Sequence, residues 1–212
     1  MKLKLTLIAL GLTGLVQAAS TIQFSSTTNF ATNFGGATGA NTDKMIWGII
    51  VDSAGNGFND GAYLPGFSLA AGTGTNAGAP VALSTSSGVT DDYLIMSGFI
   101  MSLTGTSVVD GAPGGTGINR ITNLTSFSYA AGMNGGDSYK IVWFDATALG
   151  GTAAAGLKYG TFQPATLNTI PADPTGSIVY APAFAGADPL KPMTFALVPE
   201  TSTALLGALG AL

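Results

Sequence analysis

Apolar residues in this chain fall in short runs, many β-branched or aromatic, separated by clusters of Gly, Asn, Asp, Ser and Pro. That spacing is the signature of strands and turns. Thr21-Ile22-Gln23-Phe24-Ser25 alternates with period two and predicts the strand that opens the body. Residues 44–52 carry Met45, Ile46, Trp47, Ile49, Ile50 and Val51 almost without interruption, which predicts a central strand. Residues 62–70, with Tyr63, Leu64, Phe67 and Leu69, predict a partner strand kinked at Pro65-Gly66. Residues 92–103 form the longest apolar run of the body, and Phe99, Met101 and Leu103 alternate beyond Gly98. The glycine and the β-forming residues point to a long bent strand rather than a helix.

Downstream, residues 118–129 alternate through Ile121, Thr125, Phe127 and Tyr129. Asn134-Gly135-Gly136-Asp137 is a turn signal. It leads into a strand over 138–146, with Tyr139, Ile141 and Trp143 on one face and Val142 and Phe144 on the other. Shorter strands are predicted over 158–162, 176–180 and 193–197, and loops over 33–42, 73–80 and 111–115. Nine to eleven short strands, regular turns and no convincing amphipathic helix predict an all-β chain. Its expected form is a single antiparallel β-sandwich or jelly-roll-like domain.

The two ends read differently from the body. Lys2 and Lys4, the apolar stretch 5–16 and Val16-Gln17-Ala18 have the layout of an export signal peptide cut after Ala18. The other end, 203–212, is an apolar run without charge, about half of what a membrane-spanning helix needs. The expected organisation is a signal peptide over 1–18, a sandwich over 19–197 and an apolar C-terminal segment over 198–212.

Loss of Lys2 and Lys4 with the leader leaves five basic against eleven acidic residues, a net charge of −6. That balance argues against nucleic acid and against anionic membrane surfaces, so membrane contact is expected only through the terminal segments. The chain has no Cys and no His, which removes disulfides, thiol chemistry and the commonest general base. Charged residues make up only 8%, so hydroxyls and amides must cover much of the surface.

Three patterns carry candidate chemistry. Asp52, Asn56, Gly57 and Asp60 follow the order of a calcium loop at positions one, five, six and nine. Ala54 and Tyr63, however, stand where two further ligands belong. The competing reading is a turn in which aspartates cap backbone amides. Asp91-Asp92 and Asp110 are the other carboxylates that might pair for glycoside hydrolysis, and turn capping accounts for them more simply. Trp47, Tyr63, Trp143, Phe144, Tyr159 and Tyr180 form either a sugar-stacking face or core. No catalytic set emerges and no cofactor is implied, so the expectation is a protein that is not an enzyme.

Val198-Pro199-Glu200-Thr201-Ser202 followed by Thr203-Ala204-Leu205-Leu206-Gly207-Ala208-Leu209-Gly210-Ala211-Leu212 resembles the PEP-CTERM sorting signal of exopolysaccharide-producing Gram-negative bacteria. Thr201 stands where that signal has a second proline, and no arginine cluster follows, so the signal is expected to be truncated. The stretches Trp47–Phe58 and 139–145, with Lys158-Tyr159-Gly160, resemble cargo domains that precede such signals. The resemblance implies processing by an exosortase-type enzyme at Val198, Pro199 and Glu200. It also implies a destination at the cell surface, the outer membrane or an exopolysaccharide-containing biofilm matrix. A carbohydrate-binding or adhesin module, calcium-assisted or not, is the alternative.

Overall fold

A computed structural model of the chain describes residues 19–24, 45–69, 79–88, 91–101, 124–130, 132–146, 151–180 and 192–199. Among the described residues there are nine strands and no helix. They are β1 (Ser20–Phe24), β2 (Met45–Asp52), β3 (Val81–Leu83), β4 (Asp92–Met101), β5 (Leu124–Phe127), β6 (Ser138–Phe144), β7 (Lys158–Phe162), β8 (Ser177–Tyr180) and β9 (Phe195–Ala196). They form a three-stranded sheet in the order β5-β1-β8 and a six-stranded sheet in the order β3-β4-β2-β6-β7-β9. The all-β sandwich expected from the pattern is the architecture found. The larger sheet is antiparallel throughout. In the smaller sheet β1 pairs antiparallel with β5 but parallel with β8, which enters from far along the chain.

Period-two alternation sorts the large sheet's side chains into two cores. Met45, Trp47, Ile49 and Val51 of β2 point the same way as Tyr139, Ile141 and Trp143 of β6, and meet Ile22, Leu124 and Phe127 of the smaller sheet. The other face presents Ile46, Ile50, Leu94, Met96, Val142 and Phe144. It is covered by Tyr63, Leu69, Ala153 and Leu197, with Phe58 and Phe67 packed at the margin. Because both faces are buried, every residue of β2 is buried, which explains its unbroken apolar run.

The outer cover is a strap rather than the strand predicted over 62–70. Only Tyr63 and Ser68 make isolated bridges, to Thr85 and Thr152. Pro65 has no amide to donate, and Gly66 turns the chain with φ +98°. The strap nonetheless stitches both margins of the sheet. Leu64 N–H donates to Ser84 O beyond β3 at 2.8 Å, and Tyr63 O accepts from Val198 N–H beyond β9 at 3.0 Å. The segment β3 is absent from the sequence reading because three residues are too short to show a period. Near Gly98, where the sequence predicts a bend, the β2–β4 pairing has a register irregularity between Ile46, paired with Ile100, and Gly48, paired with Met96. The Asn134–Asp137 turn forms as expected, closed by Asp137 N–H to Asn134 O at 3.1 Å. Of the other expected segments, 33–42, 73–78, 111–115 and 118–123 lie outside the described residues.

Gly160 of β7 is paired with Trp143, and the indole lies directly over it. A Cβ at this position would fall 2.3 Å from the indole Cζ2. Trp143 is fully buried and has nowhere to move, so Gly160→Ala is overpacking. It is expected to lower stability by about 1–3 kcal/mol in urea unfolding with an unchanged slope. A loss below about 0.5 kcal/mol, the range of neutral surface changes, would show that the indole has room to spare.

Candidate functional site

Asp52, Asp60, Asp91, Asp92 and Lys140 gather at one end of the large sheet, under the 53–62 loop that joins β2 to the strap. Asp52 ends β2. Its Oδ1 accepts the amides of Gly55 at 2.8 Å and Asn56 at 3.4 Å, and its Oδ2 accepts Gly57 at 2.8 Å. Gly55 and Gly57, with φ +67° and +98°, let the chain fold back far enough for those amides to reach one carboxylate. Asn56 turns the other way and donates through Nδ2 to Asp91 Oδ2 at 2.6 Å. Asp60 reaches down to Lys140. The three side chains of the calcium-like spacing are therefore sent to three different partners, and the convergence that the spacing suggested does not occur. Among the described residues no group of three or more acidic side chains is arranged to hold a metal. Capping, the competing reading, describes Asp52.

Asp91 and Asp92 also serve the loop. Asp91 O accepts both the amide and the hydroxyl of Ser53, at 3.1 and 2.6 Å. Asp92, 1% exposed, accepts the Tyr63 hydroxyl at 2.6 Å and the amide and side chain of Asn59, each at 3.0 Å, all on Oδ2. Burial, reinforced by the charge of Asp91, raises its pKa above the usual carboxylate range, against those hydrogen bonds. Tyr63 is pushed far above the ordinary phenol value by burial and by its bond to Asp92. Tyr159 is raised by burial and accepts Gly61 N–H at 2.8 Å. The neighbouring pair Asp91-Asp92 thus fastens a turn, and Asp110 lies outside the described residues.

The group that sequence reasoning missed is Lys140. It sits mid-strand in β6 at a position whose neighbours Val142 and Phe144 point into the outer core, and it is 5% exposed. Its ammonium pairs with Asp60 and lies 3.8 Å from the centroid of the Phe58 ring. Thr161 of β7 donates to the same Asp60 oxygen at 3.3 Å. Burial lowers the Lys140 pKa, while Asp60, Asp92 and Asp52 oppose that shift. Asp60 Oδ1 and Asp92 Oδ1 are buried and have no hydrogen-bond partner among the described residues. The signal for Lys140 was its parity with Val142 and Phe144; its partner, 80 residues away, left no local trace.

The proposed stacking rings are elsewhere. Trp47, Tyr63, Trp143, Phe144 and Tyr159 are each no more than 2% exposed, so they make core rather than a sugar-binding face. A surface groove of about 390 Å³ runs along β3, lined by Leu64, Phe67, Val81 and Ser84 among others. Of the sorting residues, Val198 still bonds to the strap, Pro199 is exposed, and Glu200 lies outside the described residues. Fold and junction together define an all-β sandwich with a buried lysine–aspartate pair under a capped loop. Comparison with family models, with curated proteins and with solved structures finds no match for this chain.

Two outcomes follow from the junction. Asp60→Ala strands the Lys140 ammonium among rings and aliphatics, and a loss of about 3–5 kcal/mol is expected in urea or thermal unfolding. The raised Asp92 pKa means that folding favours its protonated form. Its contribution is therefore full below the unfolded value of about 4 and is lost as pH rises through the raised folded value. Asp92→Asn should gain stability relative to the native chain as pH rises from acid to neutral, whereas parallel pH profiles would contradict the shift.

Proposed function

We propose that this is an exported structural protein of the cell surface or extracellular matrix, handed over by an exosortase-type processing step at Val198-Pro199-Glu200. The observation that carries the reading is where the motif falls. Leu197 is 1% exposed and locked into the outer core, Val198 makes the last bond to the strap, and Pro199 is exposed. The motif thus starts beside the last described residues of the sandwich, with Pro199 in reach of a processing enzyme, and the apolar run 203–212 follows it in sequence. The lysine-flanked leader at the other end supplies the export step. The chemistry of the body agrees with a structural role: Asp52, Asp60, Asp91 and Asp92 each hold a piece of the protein's own chain.

The carbohydrate-binding alternative relied on an exposed aromatic face, and burial of five of its six rings removes that support. Fractionation of an exopolysaccharide-producing Gram-negative host carrying the full-length gene tests the reading. The product is expected outside the cytoplasm, with Ala19 as its first residue, and Pro199→Ala combined with Glu200→Ala should leave it unprocessed at the C-terminal end. A cytoplasmic product that retains Met1 or Lys2 would overturn the assignment.

A further inference from the structure

We propose that Lys140 and Asp60 are joined by an intramolecular amide bond, formed spontaneously once the sandwich has folded. The two side chains are already in direct contact; that of Lys140 is shielded from water at 7% exposed, and that of Asp60 is part-buried at 21%. Aromatic rings flank the pair. Phe58 stacks on the ammonium, and Tyr63 and Tyr159, both fully buried, pack in the same outer core. A second carboxyl, Asp92, stands close enough for its charge to act on Lys140, and its Oδ1 is buried with no hydrogen-bond partner among the described residues. An ammonium held against a carboxylate in a dry, rigid pocket has an effective concentration far above that of any free pair. Intramolecular reactions of well-oriented groups reach about 10⁵–10⁸ M.

The reaction balances without any other reactant. The Lys140 ammonium passes one proton to the Asp60 carboxylate, leaving a carboxylic acid and a neutral amine, and burial favours the amine. Nζ then bonds to Cγ of Asp60. The Thr161 hydroxyl, 3.3 Å from Oδ2, polarises the bond that becomes the amide carbonyl. Asp92 relays a second proton from the nitrogen to Oδ1, the Cγ–Oδ1 bond breaks, and Oδ1 leaves as water with the two hydrogens that the nitrogen lost. The burial that lowers the Lys140 pKa and raises that of Asp92 supports both proton positions. The product ties the 53–62 loop to β6 across 80 residues of chain. In a protein with no cysteine it does the work of a disulfide, and does so independently of any redox compartment.

Arg120 lies between the two partners and makes the bond directly readable. Trypsin acting on the denatured full-length chain should release peptides 45–120 and 121–158 still joined, with Lys140 uncut and a mass one water below their sum. Lys140→Arg and Asp60→Ala should each release the two halves separately, and Lys140→Arg keeps a cation for Asp60, so the folded chain remains testable. If the native folded chain yields separate peptides with Lys140 cleaved, the bond does not exist. For Asp92, chain kept in urea since synthesis is refolded and the linked fraction followed over time. Asp92→Asn is expected to slow linkage about 10²-fold or more while strand circular dichroism recovers at the native rate. Equal linkage rates would overturn the relay role.

Discussion

The centre of the six-stranded sheet, at β2 and β6, is wet on neither face, and the rest of the molecule answers to that constraint. A strand buried on both sides has to be apolar throughout, as β2 is, and its second face needs its own cover. The three-stranded sheet covers one face. For the other the chain uses the strap over 62–69, the 151–157 turn and Leu197, which are stitched to each other and to both sheet margins by backbone hydrogen bonds. Those bonds and two isolated bridges replace a continuous ladder, and side chains at the start of the strap add a further anchor. That is where the aspartates and Lys140 gather.

The polar junction resolves a conflict that the low charge content makes acute. A loop of glycines and asparagines gains little from burial, and ordering it is entropically costly. Asp52 fixes its first turn through three amides, Asp92 fixes Asn59 and Tyr63, and Asp60 fixes the exit through Lys140. The arrangement puts ionisable groups at a sheet end where water is scarce. Lys140 and Asp92 shift toward their neutral forms for that reason, since burial is the largest cause for both. Removing one partner of such a junction carries a strong penalty, and the junction specifies where the strap begins.

How much of this could be read from residues alone depended on range. Period-two alternation and unbroken apolar runs located β1, β2, β4, β6 and β7, because those patterns express which face is covered. The sorting of Tyr139, Ile141 and Trp143 from Val142 and Phe144 followed from the same parity. Segment 62–70 was misjudged because its apolar residues do face the core, yet Pro65 and Gly66 deny it a continuous ladder. Asp52, Asn56 and Asp60 looked like a converging set because spacing says nothing about direction. In the fold the first caps its own turn, the second reaches Asp91 and the third reaches Lys140. Sequence alone leaves the aromatics between surface and core, and the cover over the second face of the sheet is what puts Tyr63, Phe144 and Tyr159 inside.

Hydrogen exchange of the folded, full-length chain, followed by mass spectrometry, tests most directly whether the outer cover hangs on the Lys140–Asp60 junction. In the native chain amides of β2 and β6 should exchange only through global opening, and those of 59–69 should be slower than exposed turns such as 135–136. Replacing Asp60 should release 59–69 to fast exchange while β1 and β5 keep their protection. If 59–69 stays protected, or if both sheets open together, the strap is held by something other than this junction.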